Sequence, residues 1–314
     1  MRKSTLALVV AMIGLALSVT ACGKLNELKA KKSFKDGNAL YQQGEYRRAA
    51  AKYEETVTQD PNFVTAYFYL GNSYDNLYKA TRRGEKENDD NLDKAIKNYQ
   101  IAAEKETDPK MRRLALEYLV AAYGPDKMND PEKAEPIVRR MIQMDPKEPT
   151  SYFALAKIYE DAGKYEEAEQ VLIQAKDARP NDPAVYMQLA GFYNRQGEFE
   201  KTIDALNQRA KLEPNNPEAF YTIATYYWDK AFRDIRLKDP EKKEYVQKGL
   251  DAVDRAIQLN PNYMEALTYK NLLLRLQGNL EQDPARRAAL YKQADDLRAK
   301  AIELQKKKTA GVTQ

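Results

Sequence analysis

The sequence predicts an all-α protein made of stacked two-helix units, and three observations carry that prediction. Two consecutive stretches, TSYFALAKIYEDAGKYEEAEQVLIQAKDARP and AVYMQLAGFYNRQGEFEKTIDALNQRAKLEP, align without a gap. Pro146, Pro180 and Pro214 are spaced 34 residues apart. Within each unit, apolar residues recur at helical spacing on both sides of a glycine, as in Tyr152, Leu155, Ala156 and Tyr159 before Gly163.

The chain opens differently. Arg2 and Lys3 precede Leu6 to Val19, an apolar run interrupted only by Ser18. That run is too short to span a bilayer and suits the core of a signal peptide. Val19, Thr20 and Ala21 lead into Cys22, the single cysteine of the chain. This junction resembles a bacterial lipobox. The resemblance implies that residues 1–21 are a lipoprotein signal peptide and that the sulfur of Cys22 carries a diacylglycerol. Several acyl chains together anchor stably where one is marginal. Gly23 in place of an aspartate implies the outer membrane. Residues 22–32 are expected to be the lipidated end and a short tether, reaching ~35 Å at most if extended. Lys24, Lys29, Lys31 and Lys32 in it sit near anionic headgroups or form the solvated face of a first helix.

The repeated units follow. In the fourth, Gly163 lets the inter-helix turn take a positive φ, and Tyr165 packs back at the start of the second helix. Ala168 and Ala175 allow close approach, Leu172 fills between them, and Pro180 ends the second helix because it lacks an amide donor. The fifth repeats this with Tyr186, Leu189, Ala190, Tyr193, Gly197, Phe199, Thr202, Leu206 and Pro214. The first is marked by Gly37, Gly44, Tyr46, Ala49, Tyr53 and Pro61. The second has Tyr67, Leu70, Gly71 and Tyr74, then Ala95, Tyr99 and Ala102. The third has Leu116, Leu119, Tyr123, Ala134, Val138 and Pro146, with Pro136 inside its second helix. The sixth has Phe220, Ile223, Ala224 and Tyr227, then Gly249, Val253, Ala256 and Pro261. The seventh starts near Met264 and runs into a long final helix.

This period and these residues resemble the tetratricopeptide repeat (TPR), in which helix A, a tight turn and helix B form one unit. The resemblance covers about residues 33–308, with 309–314 expected to be a disordered tail. It implies an α-solenoid of about seven repeats forming a right-handed superhelix, with helices A on the concave side and one continuous core. Insertions near 76–91, 229–244 and 278–286 separate helix A from helix B. The first two are expected to lengthen helix A, and all three to cluster along one edge. Asp89, Asn91 and Asp93 have the opening spacing of a calcium loop, but Lys94 and Gln100 occupy its glycine and glutamate positions. They read as a solvated loop with an N-cap.

In the family, ligands lie along the concave face at the second, fifth, ninth, twelfth and thirteenth positions of helix A. Carried onto this chain, the groove would comprise Phe34, Asn38, Tyr41, Phe68, Asn72, Asp75, Phe153, Lys157, Met187, Asn194, Tyr221, Thr225, Trp228 and Arg275. Aromatics offer rigid apolar area, and asparagine amides can hold a peptide backbone. Phe34, Tyr69, Leu114 and Tyr118 stand where a carboxylate-gripping clamp would need basic residues. An extended or helical apolar segment of another protein is the expected partner.

Composition narrows the function classes. The net charge of +4 over 314 residues does not mark a nucleic-acid binder. Histidine is absent, which removes the usual general base and the commonest metal ligand. No phosphate-cradling loop occurs, and no metal or other cofactor is expected. The reading is a scaffold or adaptor lipoprotein of the bacterial envelope, facing the periplasm, rather than an enzyme. The alternative is a permanent structural subunit of an envelope machine for pili, outer-membrane protein insertion or polysaccharide export.

Overall fold

The computed structural model describes residues 23–309 and residue 311. The expected signal peptide, Cys22 and most of the expected tail lie outside the described residues. Fourteen α-helices and no strand occur among those described. In chain order they are α1 (residues 23–42), α2 (Tyr46–Gln59), α3 (Val64–Leu77), α4 (Lys86–Lys105), α5 (Pro109–Ala122), α6 (Pro131–Met144), α7 (Pro149–Asp161), α8 (Tyr165–Ala178), α9 (Pro183–Arg195), α10 (Phe199–Leu212), α11 (Pro217–Arg233), α12 (Asp239–Leu259), α13 (Met264–Asn279) and α14 (Pro284–Thr309). Odd-numbered helices correspond to helix A of the seven units and even-numbered ones to helix B.

Local chemistry sets these boundaries. Helices α6, α8 and α10 each stop one residue before a C-cap, and that cap is followed by Pro146, Pro180 or Pro214. A second series of prolines starts the A helices. Pro109, Pro149, Pro183 and Pro217 occupy the first helical position, where no amide donor is needed. The preceding Asp108, Glu148, Asp182 and Asn216 accept from the backbone N–H two residues on. The turn glycines Gly44, Gly163 and Gly197 have φ of 76°, 72° and 75°, as the spacing required. Helix α6 runs unbroken through Pro136.

The chain divides between Ala162 and Gly163 into two compact units, within the fourth repeat. In the first, Tyr53, Leu70, Tyr99, Leu116 and Val138 are buried. Consecutive helices pack together from α2 to α7, and α3 also touches α5, the next helix A. In the second, Leu206, Val246, Val253, Leu267 and Leu273 are buried, consecutive helices pack from α8 to α14, and α11 touches α13. Helix α1 meets α2 through Gly37. A Cβ there would lie 2.8 Å from the Tyr53 ring, so the missing side chain makes room for the tyrosine. Sixteen residues separate that pair, as they separate Ala190 from Leu206, both fully buried. A glycine stands at the first position where the second is tyrosine, and an alanine where the second is leucine.

Three expectations need correction. Residues 23–32 are helical and continuous with α1, so the stretch read as a tether rises ~1.5 Å per residue instead of extending. The first insertion leaves α3 at its ordinary length and lengthens helix B instead, as does most of the second: α4 has 20 residues and α12 has 21. The reason lies in helix-start chemistry. Buried Asn88 accepts from the Lys79 N–H at 2.8 Å and donates to the carbonyls of Lys79 and Arg82 at 3.1 and 3.0 Å. At α12, Pro240 lies in the first turn and the Glu241 carboxylate accepts from the Lys238 N–H at 2.9 Å. Of the first two insertions, only the second adds length on the helix A side, with α11 reaching Arg233. Finally, Asp89, Asn91 and Asp93 lie within α4, not in a loop. Asp89 accepts from the Gly84 N–H at 2.9 Å, which ties the preceding turn to the first turns of the helix.

Candidate functional site

In the first unit the expected groove residues are largely occupied with one another. Phe34 packs at 4.8–5.7 Å from the rings of Phe63, Tyr53 and Tyr69. Asn38 accepts from the Tyr53 hydroxyl at 2.7 Å. Tyr41 donates to Asn72 Oδ1, which also receives the Asn76 amide at 2.9 Å. Asp75 accepts from the Tyr99 hydroxyl at 3.2 Å and pairs with Lys127. Burial, and then the charge of Asp75, push the Tyr99 phenol well above its ordinary range.

Phe68 and Asn72 are corrections to the expected groove. They are 5% and 6% exposed, which leaves little of either for a ligand. The Phe68 ring lies 5.2–5.9 Å from those of Tyr69, Tyr99 and Tyr118, near-perpendicular to the first and last. Neighbouring side chains this large fill the space between adjacent A helices. Offsets read from a repeat pattern do not register the size of the neighbour.

Phe153 is half-buried on α7, and Lys157 is exposed and paired with Asp161 at 2.5 Å. Beside Lys157 lies an apolar cavity of about 310 Å³, lined by Val120, Tyr123, Pro125, Pro131, Ala154 and Ile158. Its rim is the turn after α5. The first insertion braces that turn, because Arg83 donates to the carbonyls of Pro125 and Lys127 at 3.2 and 2.6 Å.

The second unit brings its expected residues together on α11 and α13. The Tyr221 ring stands edge-on to Tyr263 and Tyr269 at 5.3 and 5.4 Å. Burial and these two phenols push Tyr221 up to about 12. Trp228 stacks on Phe232 with ring centroids 5.0 Å apart and 10° between planes, and meets Tyr269 edge-on at 5.6 Å. Tyr269 therefore joins Tyr221 to Trp228. A cavity of about 380 Å³ continues the surface, between Tyr221, Met264 and Tyr269 on one side and Arg298, Ile302 and Gln305 of α14 on the other.

The remaining expected positions contribute less. Thr225 donates to the carbonyl of Thr222 at 2.7 Å, within its own helix. Arg275 is held by Asn271 at 2.9 Å and by Asp295. Met187 is exposed, and its sulfur accepts from Arg209 at 3.4 Å. Asn194 is exposed at the end of α9.

Three residues missed by the sequence reading complete this surface. Tyr269 lies outside the groove offsets of its helix. Phe232 and Ile235 fall in the second insertion and are 60% and 89% exposed. The turn that carries Ile235 is ordered by Asp234. Its carboxylate receives the Arg236 backbone and side chain at 3.1 and 2.9 Å and Lys230 at 3.0 Å. Those bonds, Arg236 foremost, hold the Asp234 carboxyl far below the usual range. Hydrophobic residues inside an insertion were the available signal. The result is a wall of aromatic faces and edges suited to apolar side chains.

Comparison with known proteins agrees with this architecture. Residues 37–77 match a family described as TPR repeat, and residues 127–191 match one described as tetratricopeptide repeat. Among curated proteins none matches the chain. The C-terminal part of a TPR repeat-containing protein from Cytophaga hutchinsonii superposes with a TM-score of 0.56 at 18% identity, over 86% of this chain and 98% of that one. A tetratricopeptide repeat protein from Parabacteroides merdae gives 0.46 at 14% identity, over 89% and 98%. YrrB, a TPR protein with an unusual peptide-binding site, gives 0.32 at 17% identity, over 79% and 95%.

Proposed function

Since the chain is a tetratricopeptide-repeat protein, we propose that it is a non-catalytic scaffold that holds an apolar segment of another protein against α11 and α13. The observation that carries this reading is the continuous surface from Tyr221 through Tyr269 to Trp228 and Phe232, ending at exposed Ile235. Large aromatics present contact area with few rotors to immobilise. Tryptophan and tyrosine dominate the residues whose loss most weakens protein interfaces. The adjoining cavity against α14 has room for one or two apolar side chains of such a segment.

The same proposal places the scaffold in a bacterial envelope, held by acyl chains on Cys22 and facing the periplasm from the outer membrane. Support for this comes from the apolar run and lipobox-like junction at residues 6–22. Replacing Cys22 by serine is expected to release the protein from the membrane fraction or leave it uncleaved.

The binding site is tested by placing a photoreactive amino acid at Phe232 and, separately, at Phe153 in cells. A discrete protein adduct from position 232 is expected, and it should disappear with Trp228→Ala. Adducts from position 153 alone would move the site to the first unit and overturn the assignment.

A further inference from the structure

Helix α1 carries an outward face that the repeat core does not use. Ala30, Ser33 and Gly37 are its buried residues in this stretch, spaced three and four apart and turned towards α2. On the opposite side Leu25 and Leu28 are 52% and 65% exposed. Lys32 and Lys35 continue the same stripe at helical spacing, flanked by Lys24, Lys29 and Lys31. Residues 23–35 thus hold five lysines and a single acid, Glu27, which engages Lys31 at 2.6 Å.

Two exposed leucines set among basic side chains are the composition of a helix that lies in a bilayer interface. The apolar pair enters the acyl boundary while the lysine stems let the ammonium groups reach the phosphates. Each lysine near an anionic surface adds attraction that is lost beyond a Debye length. Leu25, the first apolar residue of this face, follows Cys22 by three positions in the sequence. We propose that the outer face of α1 docks on an anionic lipid surface, so that the helix lies along the membrane and fixes the orientation of the first repeats. This deepens the anchoring reading above and rests on it for the helix's place at a membrane.

The test separates the two. Among the described residues the buried side chains run from Ala30 to Ala301, so a chain starting at residue 22 keeps all of them. A chain starting at residue 22 with Cys22→Ser carries no lipid and is sedimented with vesicles of phosphatidylglycerol and phosphatidylcholine, or of phosphatidylcholine alone. Binding to the anionic vesicles only, weakened by salt, is expected. Leu25→Ser with Leu28→Ser, or Lys29→Gln with Lys32→Gln, should each lower partitioning about tenfold with an unchanged circular dichroism spectrum. Absence of binding to anionic vesicles overturns the proposal, as does binding that survives all four substitutions. Binding to polyglutamate without binding to vesicles overturns it in favour of an acidic protein partner. Acylation is read independently, from the mass of the processed full-length chain.

Discussion

The Gly37–Tyr53 contact yields the sharpest quantitative prediction. The ring is fully buried, and three of its carbons lie 2.8–3.2 Å from where a Cβ on residue 37 would sit. Gly37→Ala should therefore force the ring or the helix to shift. Overpacking of this kind costs about 1–3 kcal/mol. The gain in helix propensity returns up to about 1 kcal/mol, leaving a net loss of about 0–3 kcal/mol. Tyr53→Leu alone opens a cavity and leaves Asn38 without its 2.7 Å donor, for about 2–4 kcal/mol. The double variant places at these positions the alanine and leucine that stand at the same separation in the fifth repeat. Its loss should fall short of the sum of the two by at least about 1 kcal/mol. Urea unfolding of the four proteins by circular dichroism, with hydrogen exchange in α1 and α2 as the local readout, gives the cycle. Strict additivity, or a stabilising Gly37→Ala, would refute the reasoning that side-chain volumes across this interface are matched.

Three further outcomes follow from the geometry. Asn88→Ala removes three hydrogen bonds that order residues 79–82, and should lower stability by about 2–3 kcal/mol and expose Lys79, Arg82 and Arg83 to trypsin; an unchanged digestion pattern contradicts the role assigned to Asn88. Because the Asp234 carboxyl is held below its ordinary 3.8, chiefly by Arg236, its stabilisation of the turn is complete above that pH and lost as pH falls through the depressed value. Trp228 emission should therefore stay constant down to the ordinary carboxylate range, whereas Asp234→Asn should already differ at neutral pH. Tyr221 is raised from 10.0 to about 12, so its neutral form favours the folded state; that contribution is whole below pH 10 and fades as pH rises towards 12. The tyrosinate absorbance lost in Tyr221→Phe should titrate near the upper value, and a midpoint at 10 would show the ring to be solvated.

Much of the architecture was legible because each turn repeats the same solution. A 34-residue spacing of prolines located the ends of α6, α8 and α10, and positive-φ glycines located the turns at Gly163 and Gly197. The placement of the insertions was not legible. It depends on Asn88, a helix residue that reaches back nine positions to Lys79, and such a contact has no periodic trace. The groove was partly legible. Tyr221 and Trp228, chosen by offset, lie together in the aromatic surface of α11 and α13. Phe68 and Asn72 were misjudged because their exposure is decided by Tyr99, Tyr118 and Tyr41 on other helices. Tyr269 was missed because contact with both Tyr221 and Trp228 is a property of the pairing of α11 with α13.

The indole at position 228 has a practical consequence. It is the sole tryptophan among 22 tyrosines, and it sits between Phe232 and Tyr269. Red-edge excitation of the unlabelled protein therefore interrogates one address in the whole chain, and that address is the wall assigned to partner capture. Any segment that covers it would announce itself as a blue shift, without a dye, a tag or an engineered reporter.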